Sequence, residues 1–340
     1  MRQSIWEGPG VKSYCHGVVV VLGWLALTGP AAAAQSPAWA PEKAVELISP
    51  SSPGGGTDNT VRLLQKIWQG NRLLAMPLTV VNKPGGGQAV SLAYLKQHAA
   101  DPHFLLLVGG ASLLAAHITG KSTSNYTDFT PIALLTSEYV AFAVAADSPI
   151  KTIADLAARL RKDSASVSIA VGLTLGGPNH VAAALLARAA GGDAAKLKTV
   201  VFKSSSESAV AVLGGHVDLV TSSVSVILPQ VNSRAMRILA LSAPQRVPGV
   251  LAAVPTLKEQ GLDVVVDNFR FVMAASGLQL AQIAYWDGVM KQTAQTAEWR
   301  KDLEDNQWEN AYRDSRDTRK FLDAQNASWK DALGALGMAR

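Results

Sequence analysis

Apolar residues occur in short continuous runs along the first part of the chain, and amphipathic segments separate these runs. The runs "VELIS", "LTVVN" and "FLLLVG" do not alternate with polar residues, which is typical of parallel strands buried on both faces. After the first run, Val61, Leu64 and Trp68 recur at the spacing of one helical face, and Gly70 is placed to end that helix. The pattern therefore predicts a β-α-β-α-β unit of a doubly wound sheet.

A second series of the same kind follows. It contains the predicted strands "SVSIAVG", "KTVVF", "HVDLVTSS" and "MRILAL", and the predicted helices "NHVAAALLARAA" and "SESAVAVLGG". The strand "AFAVAA" is placed to cross from one domain to the other, and the extended segment "VVVDNFRFVMAAS" is placed to return. From about Ala281 the pattern is amphipathic and helical.

These patterns predict an α/β protein with two doubly wound α/β domains, a ligand cleft and a hinge between them. Because the chain is expected to cross twice, domain 1 is expected to be discontinuous, with residues 35–140 and 250–340. Domain 2 is expected to cover residues 141–249.

The first 34 residues resemble a secretory signal peptide. Arg2 and Lys12 precede the short apolar run "GVVVVLGWLALTG", and small residues follow at Ala32 and Ala34. The run is too short for an ordinary transmembrane helix, although a short membrane anchor is the alternative interpretation. Cys15 is the only cysteine and lies in this segment, so cleavage after Ala34 would leave a chain without thiols or disulfides.

The composition of the chain limits the classes of binding partner to be expected. Hydrophobic residues make up 48% of the 340 residues, which suits a large core, and the formal net charge is +5. The charges are dispersed and aromatic residues are only 6%, so the sequence gives little support for nucleic-acid binding.

Three glycine-rich loops each follow a predicted strand and precede a predicted helix. They are "PGGGTDN", "NKPGGGQAV" and "GLTLGGPNH". The first loop lacks the Lys and Ser/Thr of a P-loop, and Asn59 stands where a dinucleotide fingerprint needs glycine. Backbone N–H groups at such turns, together with a helix N-terminus, suit a small anion such as a carboxylate. The alternative is that each loop is only a tight turn, with Thr57 or Asp58 as a helix N-cap.

One loop cannot hold an anion alone, because a helix N-terminus contributes about 0.3–2 kcal/mol and micromolar binding needs about 8 kcal/mol. Two loops that face each other across a cleft could do so. None of the three loops contains arginine; Lys203, His180 and Arg270 are the nearest candidate cations. We expect Gly55 to have a positive φ and to lie at the closest approach to the ligand.

In this order along the chain, the loops resemble those of the periplasmic receptors of tripartite tricarboxylate transporters, the Bug or TctC-like family. "YTDFTPIALL", "LGGHVDLV", "VPTLKEQGLDVVVDNFRFV" and "TAEWRKDLEDNQWENAY" are also similar to family segments. The resemblance implies a fold like that of type II periplasmic binding proteins, in which main-chain groups and waters of two facing loops hold a carboxylate. Phe202, Ser204, Phe269 and Phe271 depart from the residues usual in the family.

The resemblance also implies the ligand-binding residues, which fall in four segments of the chain. They are Ser52, Gly54, Gly55, Gly56, Thr57 and Asp58; Gly109 and Ser112; Thr174, Gly176, Gly177, Asn179 and His180; and Lys203, Ser205 and Asp218.

The favoured function is a periplasmic binding protein without enzymatic activity, cofactor or bound metal. It is expected to be a monomer that delivers a carboxylate to membrane subunits of the transporter. One alternative is a secreted enzyme acting on a carboxylic acid, but "GGASLL" has Leu114 where a nucleophile elbow needs glycine. Another is a ligand-binding partner of a membrane sensor.

The signal-like segment gives a direct test. Protein exported to the periplasm is expected to begin at Gln35 and to be recovered without detergent, because the apolar run is removed. N-terminal sequencing of the exported protein checks this, and finding Met1 at its start would contradict cleavage.

Overall fold

The computed structural model describes Gly10 and residues 39–172, 175–202 and 204–340. The predicted signal peptide, Thr174 and Lys203 therefore lie outside the described residues. The described residues from 39 to 340 form one compact unit.

The strands of the described residues are β1 (Val45–Ser49), β2 (Leu78–Asn82), β3 (Phe104–Gly109), β4 (Thr130–Ser137), β5 (Val140–Ala145), β6 (Ser168–Gly172), β7 (Lys198–Phe202), β8 (Leu219–Ser223), β9 (Met236–Leu241), β10 (Arg270–Ala274) and β11 (Glu309–Arg313). The α-helices are α1 (Gly56–Gly70), α2 (Ala89–Lys96), α3 (Gly110–Ile118), α4 (Ile153–Lys162), α5 (Pro178–Ala189), α6 (Ser205–Leu213), α7 (Val224–Asn232), α8 (Leu280–Gln295), α9 (Ala297–Asn306) and α10 (Ser315–Ala335). Short 3₁₀ turns lie at Gly86–Gln88, Tyr126–Asp128, Ala194–Lys196, Gly249–Leu251 and Lys258–Gln260.

Two mixed sheets carry these strands. The first has the order β11-β4-β10-β3-β1-β2 and the second β7-β6-β8-β5-β9. The strands predicted to be parallel pair as β1–β2, β1–β3, β6–β7 and β6–β8, and the fold of two α/β domains is confirmed. However, β10 runs antiparallel to β3 and β4, and β5 runs antiparallel to β8 and β9. Continuous apolar runs favour parallel strands because they indicate burial on both faces, but an antiparallel strand that is covered on both faces has the same pattern, so the direction of β5 and β10 was not predicted.

The chain passes between the sheets twice. β4 ends at Ser137 in the first sheet and β5 begins at Val140 in the second, while β10 returns to the first sheet. The two connections lie side by side, because Tyr139 bridges Asp267 and the Glu138 and Asn268 backbones exchange hydrogen bonds of 3.3 and 2.9 Å. These positions support the order of segments expected for the domains, and the exact domain bounds remain a prediction.

The apolar face predicted for α1 packs into the core of the first domain. Val61, Leu64 and Trp68 are fully buried beside Trp286, and the Trp68 indole N–H donates to Thr293 Oγ1 at 2.7 Å. The amphipathic C-terminal region folds as α8, α9 and α10, with the unpredicted strand β11 between α9 and α10. Its polar, exposed sequence "ENAYR" has no strand pattern; its position at the edge of the sheet explains why.

Helix α3 follows β3 without a polar break, and no periodic pattern predicts a helix there. Its first residue, Gly110, donates its N–H to the Phe269 carbonyl at 2.8 Å, and a Cβ built at Gly110 would overlap the buried Phe269 ring. A glycine at this position therefore allows the start of α3 to pack against the chain leading into β10.

We expect Gly110→Ala to destabilise the protein by about 1–3 kcal/mol, because the Phe269 ring must leave its place in a packed core. Urea unfolding followed by circular dichroism measures this. Gly288→Ala is the matched control, since Gly288 lies inside α8 with open space at its Cβ position. It should be neutral or stabilising by up to about 1 kcal/mol, and an equal loss in both variants would contradict the packing argument.

Candidate functional site

A cavity of about 620 Å³ lies where the glycine loops meet. Its walls come from both predicted loops of the first domain, from one face of α3, from the loop before α5, and from the start of β10. The lining residues are Pro50, Ser51, Thr57, Gly85, Gly86, Gly87, Gln88, Gly109, Ser112, Ala115, Ala116, Thr119, Lys121, Leu175, Gly176, Gly177, Asn268 and Arg270.

Five of the residues predicted for ligand binding are in this lining: Thr57, Gly109, Ser112, Gly176 and Gly177. They come from three separate segments, so the structure brings together the loops that the sequence indicated. The second glycine loop is joined to the segment of Gly109 and Ser112, because the Gln88 side-chain amide donates to the Gly109 carbonyl at 3.0 Å and accepts from the Gly109 N–H at 2.9 Å.

The first loop is held from within by Asp58. This side chain is fully buried and accepts hydrogen bonds from the Gly54 N–H at 2.7 Å, Arg62 Nε at 2.8 Å and Asn82 Nδ2 at 2.7 Å. Burial by itself would raise the pKa of this carboxyl, but the hydrogen bonds from Arg62, Asn82 and Gly54 together hold the pKa below its usual value. Asp58 is thus engaged within the loop and does not line the cavity.

The expectation for Gly55 needs a correction. Gly55 is the N-cap of α1 with φ −73°, so it is not in the left-handed region; the neighbouring Gly54 has φ +81°. A Cβ at Gly55 would lie 2.7 Å from Ser51 Oγ. That hydroxyl accepts hydrogen bonds from Thr57 Oγ1 at 2.8 Å and the Asp58 N–H at 3.1 Å. Gly55 therefore leaves room for the Ser51 hydroxyl, and it does not line the cavity.

The facing loop precedes α5, whose N-cap is Gly177 and whose first residue is Pro178. The Gly176 N–H donates to His180 Nδ1 at 3.1 Å, which requires the proton of the neutral ring to be on Nε2. Burial, and secondarily the charge of Lys121, lowers the pKa of His180. The ring is therefore neutral at pH 7 and acts as an acceptor for the loop. His180 and Asn179 do not line the cavity.

Several other residues predicted to bind the ligand lie away from the cavity. Asp218 Oδ2 accepts from the Ser168 N–H at 2.8 Å and Oγ at 2.6 Å, so it ties the start of β6 to the segment before β8. Ser205 begins α6 and packs closely on Gly172, and Ser52 is exposed on the first loop. Gly54 and Gly56 are also outside the lining, although Gly56 begins α1 beside the cavity.

The cavity is lined by two cationic side chains that do not belong to the glycine-rich loops. Arg270 is the first residue of β10, and its side chain is 13% exposed. Its guanidinium lies 4.1 Å above the Trp308 ring, and its buried Nη1 has no hydrogen-bond partner among the described residues. Lys121 follows α3, and its Nζ donates to the Leu175 carbonyl at 3.1 Å. Arg270 was recognised as a candidate but could not be placed; nothing in the sequence around Lys121 indicates a site.

Glu138 positions Arg270 from the first connection between the sheets. Its carboxylate is buried, and Oε1 accepts from Ser223 Oγ at 2.6 Å and Asn268 Nδ2 at 2.7 Å. Oε2 accepts from the Trp308 indole N–H at 2.7 Å. Arg270 Nη2 is 3.6 Å from Oε1, which is an ion pair without a hydrogen bond.

A second acid lies beside this group, in the return connection. Asp267 is half-buried, with Oδ2 accepting from Ser137 Oγ at 2.9 Å and a buried Oδ1 without a partner in the described part of the chain. Burial raises the pKa of Asp267 to about 7. This carboxyl therefore changes charge near neutral pH, at the place where the chain passes between the sheets.

Within residues 39–172, 175–202 and 204–340, no three His, Cys, Asp or Glu side chains are grouped as a metal site would require. No helix of these ranges has the length and apolar character needed to cross a membrane.

Comparison with known proteins gives a family. A model described as "Tripartite tricarboxylate transporter family receptor" matches residues 63–338. A Cupriavidus necator protein, described as "UPF0065 protein in gbd 5'region", is 26% identical over 329 residues, which cover 95% of this chain and 96% of the relative.

Solved structures of solute-binding proteins have the same fold. A TctC solute-binding protein from Polaromonas, solved without ligand, superposes with a TM-score of 0.74 at 24% identity over 86% of this chain and 99% of its own. MatC from Rhodopseudomonas palustris, solved with bound malate, gives a TM-score of 0.72 at 22% identity over 86% and 99%.

The role assigned to Asp58 gives a pH-dependent test. We expect Asp58→Asn to lower the free energy of unfolding by about 1–3 kcal/mol at pH 7, because charge-assisted hydrogen bonds to Arg62 and Gly54 are lost. Since the folded-state pKa is depressed, the parent's advantage is fully present above the unfolded value of about 4 and is lost as the pH falls through the folded value.

Denaturant unfolding at several pH values between neutral and strongly acidic measures the difference. Asp147→Asn is the control, since Asp147 is exposed in the turn after β5. A penalty for Asp58→Asn that stays constant down to the lowest pH would contradict the assigned role.

Proposed function

Since the chain belongs to the family of tripartite tricarboxylate transporter receptors, we propose that it is a periplasmic solute-binding protein that captures a small carboxylate and delivers it to the membrane subunits of such a transporter. The observation that carries this proposal is the position of Arg270. Its guanidinium has a buried N–H group without a partner among the described residues and lies in the wall of the cavity beside the start of α1.

The cavity is suited to an anion in three ways. Its described lining contains two cations and no Asp or Glu. Helices α1 and α5 begin at its edge, and a helix N-terminus favours negative charge by about 0.3–1 kcal/mol. Hydrogen bonds from a guanidinium to a carboxylate add about 1.5–3 kcal/mol each. Together with closure of the two loops over the ligand, these contributions approach the 8 kcal/mol or so of micromolar binding.

A carboxylate is the first ligand to test. The malate bound to MatC, which has the same fold, makes four-carbon diacids reasonable starting probes. Three oxygen acceptors of a phosphate would suit the same donors, but the first loop lacks the lysine with which P-loops reach phosphate groups.

The test is a thermal-shift screen of the chain from Gln35 to Arg340 with malate, succinate, citrate, acetate and the amide of succinate, followed by calorimetric titration of the hits. Saturable stabilisation by acids but not by the amide is expected. Proton NMR of the ligand after incubation should show it unchanged. Stabilisation by none of the acids, or conversion of a bound acid to product, would refute the proposal.

One substitution tests the position of the site. We expect Gly176→Val to weaken carboxylate binding at least about tenfold, or 1.4 kcal/mol, because Gly176 lines the cavity with φ +85° and a side chain there enters the approach of the ligand. Calorimetric titration with the best acid of the screen measures the change.

Gly215→Val is the matched control, since Gly215 has φ +69° in an exposed turn away from the cavity. It carries a similar backbone penalty and should keep the affinity of the parent. Equal binding by Gly176→Val and the parent would move the site elsewhere.

A further inference from the structure

We infer that residues 337–340 form a strap that joins two walls of the cavity at the end of α3, and that Met338 is the positioning residue of this strap. The strap controls how fast a ligand enters and leaves the cavity, and it leaves the affinity nearly the same. This inference rests on the proposed function for the bound acid and adds the control of its exchange.

The strap begins with the way in which α10 ends. Leu336 is the C-cap of α10, and Gly337 follows with φ +67°. The Gly337 N–H donates to the Gly334 carbonyl at 2.9 Å, and the Met338 N–H donates to the Leu333 carbonyl at 2.8 Å. These two bonds and the left-handed glycine make up a Schellman motif, which ends a helix and turns the chain away from its axis. The residues after α10 are therefore directed back onto the protein.

The turned chain lies along the end of α3. The Arg340 N–H donates to the Ile118 carbonyl at 3.0 Å, and a Cβ built at Gly120 would lie 3.0 Å from Arg340 Cδ. Ile118 is the last residue of α3, and its carbonyl is one of those that a helix leaves without an internal partner. The strap therefore completes a helix terminus that belongs to the first domain.

Met338 makes the contact with the opposite wall. A Cβ built at Gly176 would lie 3.2 Å from Met338 Cε and 3.8 Å from Thr119 Cγ2. Thr119 follows α3 of the first domain and Gly176 precedes α5 of the second, so the Met338 methyl group lies where the two walls meet. Gly176 and Thr119 line the cavity, whereas Met338 does not. It is half-buried and packs against the core from outside this wall.

The loop that contains Gly176 is thus held from two sides. From its own domain, His180 Nδ1 accepts from the Gly176 N–H at 3.1 Å. From the first domain, Lys121 Nζ donates to the Leu175 carbonyl at 3.1 Å, and Met338 packs against Gly176. Lys121 also lines the cavity, so Met338 is the residue of this junction that can be changed without altering the surface offered to a ligand.

Opening of the cleft has to break these contacts. The chain passes between the sheets near residues 137–140 and 266–270, and hinge motions turn about such connections. A turn of this kind separates the end of α3 from the loop of Gly176. The contacts of the strap are with protein groups, so they stabilise the strapped form equally with and without a ligand. Their loss should raise the rates of entry and release by one common factor and leave the dissociation constant unchanged.

Stopped-flow fluorescence of the chain from Gln35 to Arg340 measures both rates, since Trp308 lies against Arg270 in the cavity wall. The probes are the acids of the screen, malate, succinate, citrate and acetate. Met338→Ala is expected to raise the association and dissociation rate constants equally, by about three- to tenfold, and to change Kd by less than about twofold. Met338→Leu keeps an apolar side chain of similar volume and should return both rates to within about twofold of the parent.

Met76→Ala is the matched control. Met76 is also half-buried, in the bend before β2, and does not line the cavity. This variant should exchange the acids at the rates of the parent. A chain that ends at Gly337 lacks Met338 and Arg340 and should exchange them at least as fast as Met338→Ala. Circular dichroism of every variant establishes that each is folded.

Hydrogen exchange tests the strap without any acid. In the ligand-free chain, the peptide that contains Gly176 should exchange at least about threefold faster in Met338→Ala than in the parent, because local opening becomes easier. Met76→Ala should match the parent, and Met338→Leu should lie close to it.

The outcomes separate the strap from the proposed function. Unchanged rates in Met338→Ala, or a weaker Kd with an unchanged association rate, would mean that Met338 only shapes the wall; the strap would then be wrong while the carboxylate receptor stands. Unchanged hydrogen exchange at Gly176 would also overturn the strap. If the folded parent binds no acid of the screen, the proposed function fails, and hydrogen exchange alone decides on the strap.

Discussion

The carboxylate of Glu138 is the interaction on which the arrangement of the site depends. It lies in the first connection between the two sheets and accepts hydrogen bonds from Ser223 at the end of β8, from Asn268 in the return connection and from Trp308 near β11. Parts of both domains therefore converge on one buried charge. Removing a partner from such a group leaves it unsatisfied in a low-dielectric setting, which costs far more than the bond itself contributes. The same carboxylate holds Arg270 against the Trp308 ring, so the geometry of the cavity wall is linked to the geometry of the connection.

The glycine loops have two separate tasks. Gly176 and Gly177 expose backbone to the cavity, whereas Gly55 and Gly110 make room for neighbouring groups of the protein, the Ser51 hydroxyl and the Phe269 ring. Acidic residues in and near these loops serve the scaffold as well. Asp58 and Asp218 each accept hydrogen bonds from backbone N–H groups in their own domain, and neither carboxylate lines the cavity.

Periodicity and loop spacing in the sequence were enough to predict the two α/β domains, the parallel strands around β1 and β6, and the meeting of the glycine loops. These features depend on local pattern and on the rule that strand ends share an edge of the sheet. The antiparallel entry of β10, the edge strand β11 and the helix α3 were not predicted, because their sequences lack a periodic contrast between apolar and polar positions. Arg270 and Lys121 belong to segments about 150 residues apart in the sequence. Only the folded topology brings both side chains to the lining of the same cavity. No property of the single sequence could indicate that Asp58 turns inward while Thr57, its neighbour, lines the cavity.

The alanines of α3 have a consequence for how this cleft could change its ligand. Ala115 and Ala116 occupy the middle of the wall with the smallest side chains that a helix tolerates well. Each step along the helix advances the wall by about 1.5 Å, so a larger residue at either position would divide the cavity at a defined depth while both cations stayed in place. Single uncharged substitutions along this helix face could therefore shorten the cleft in defined steps, and neither end of the cleft would have to change.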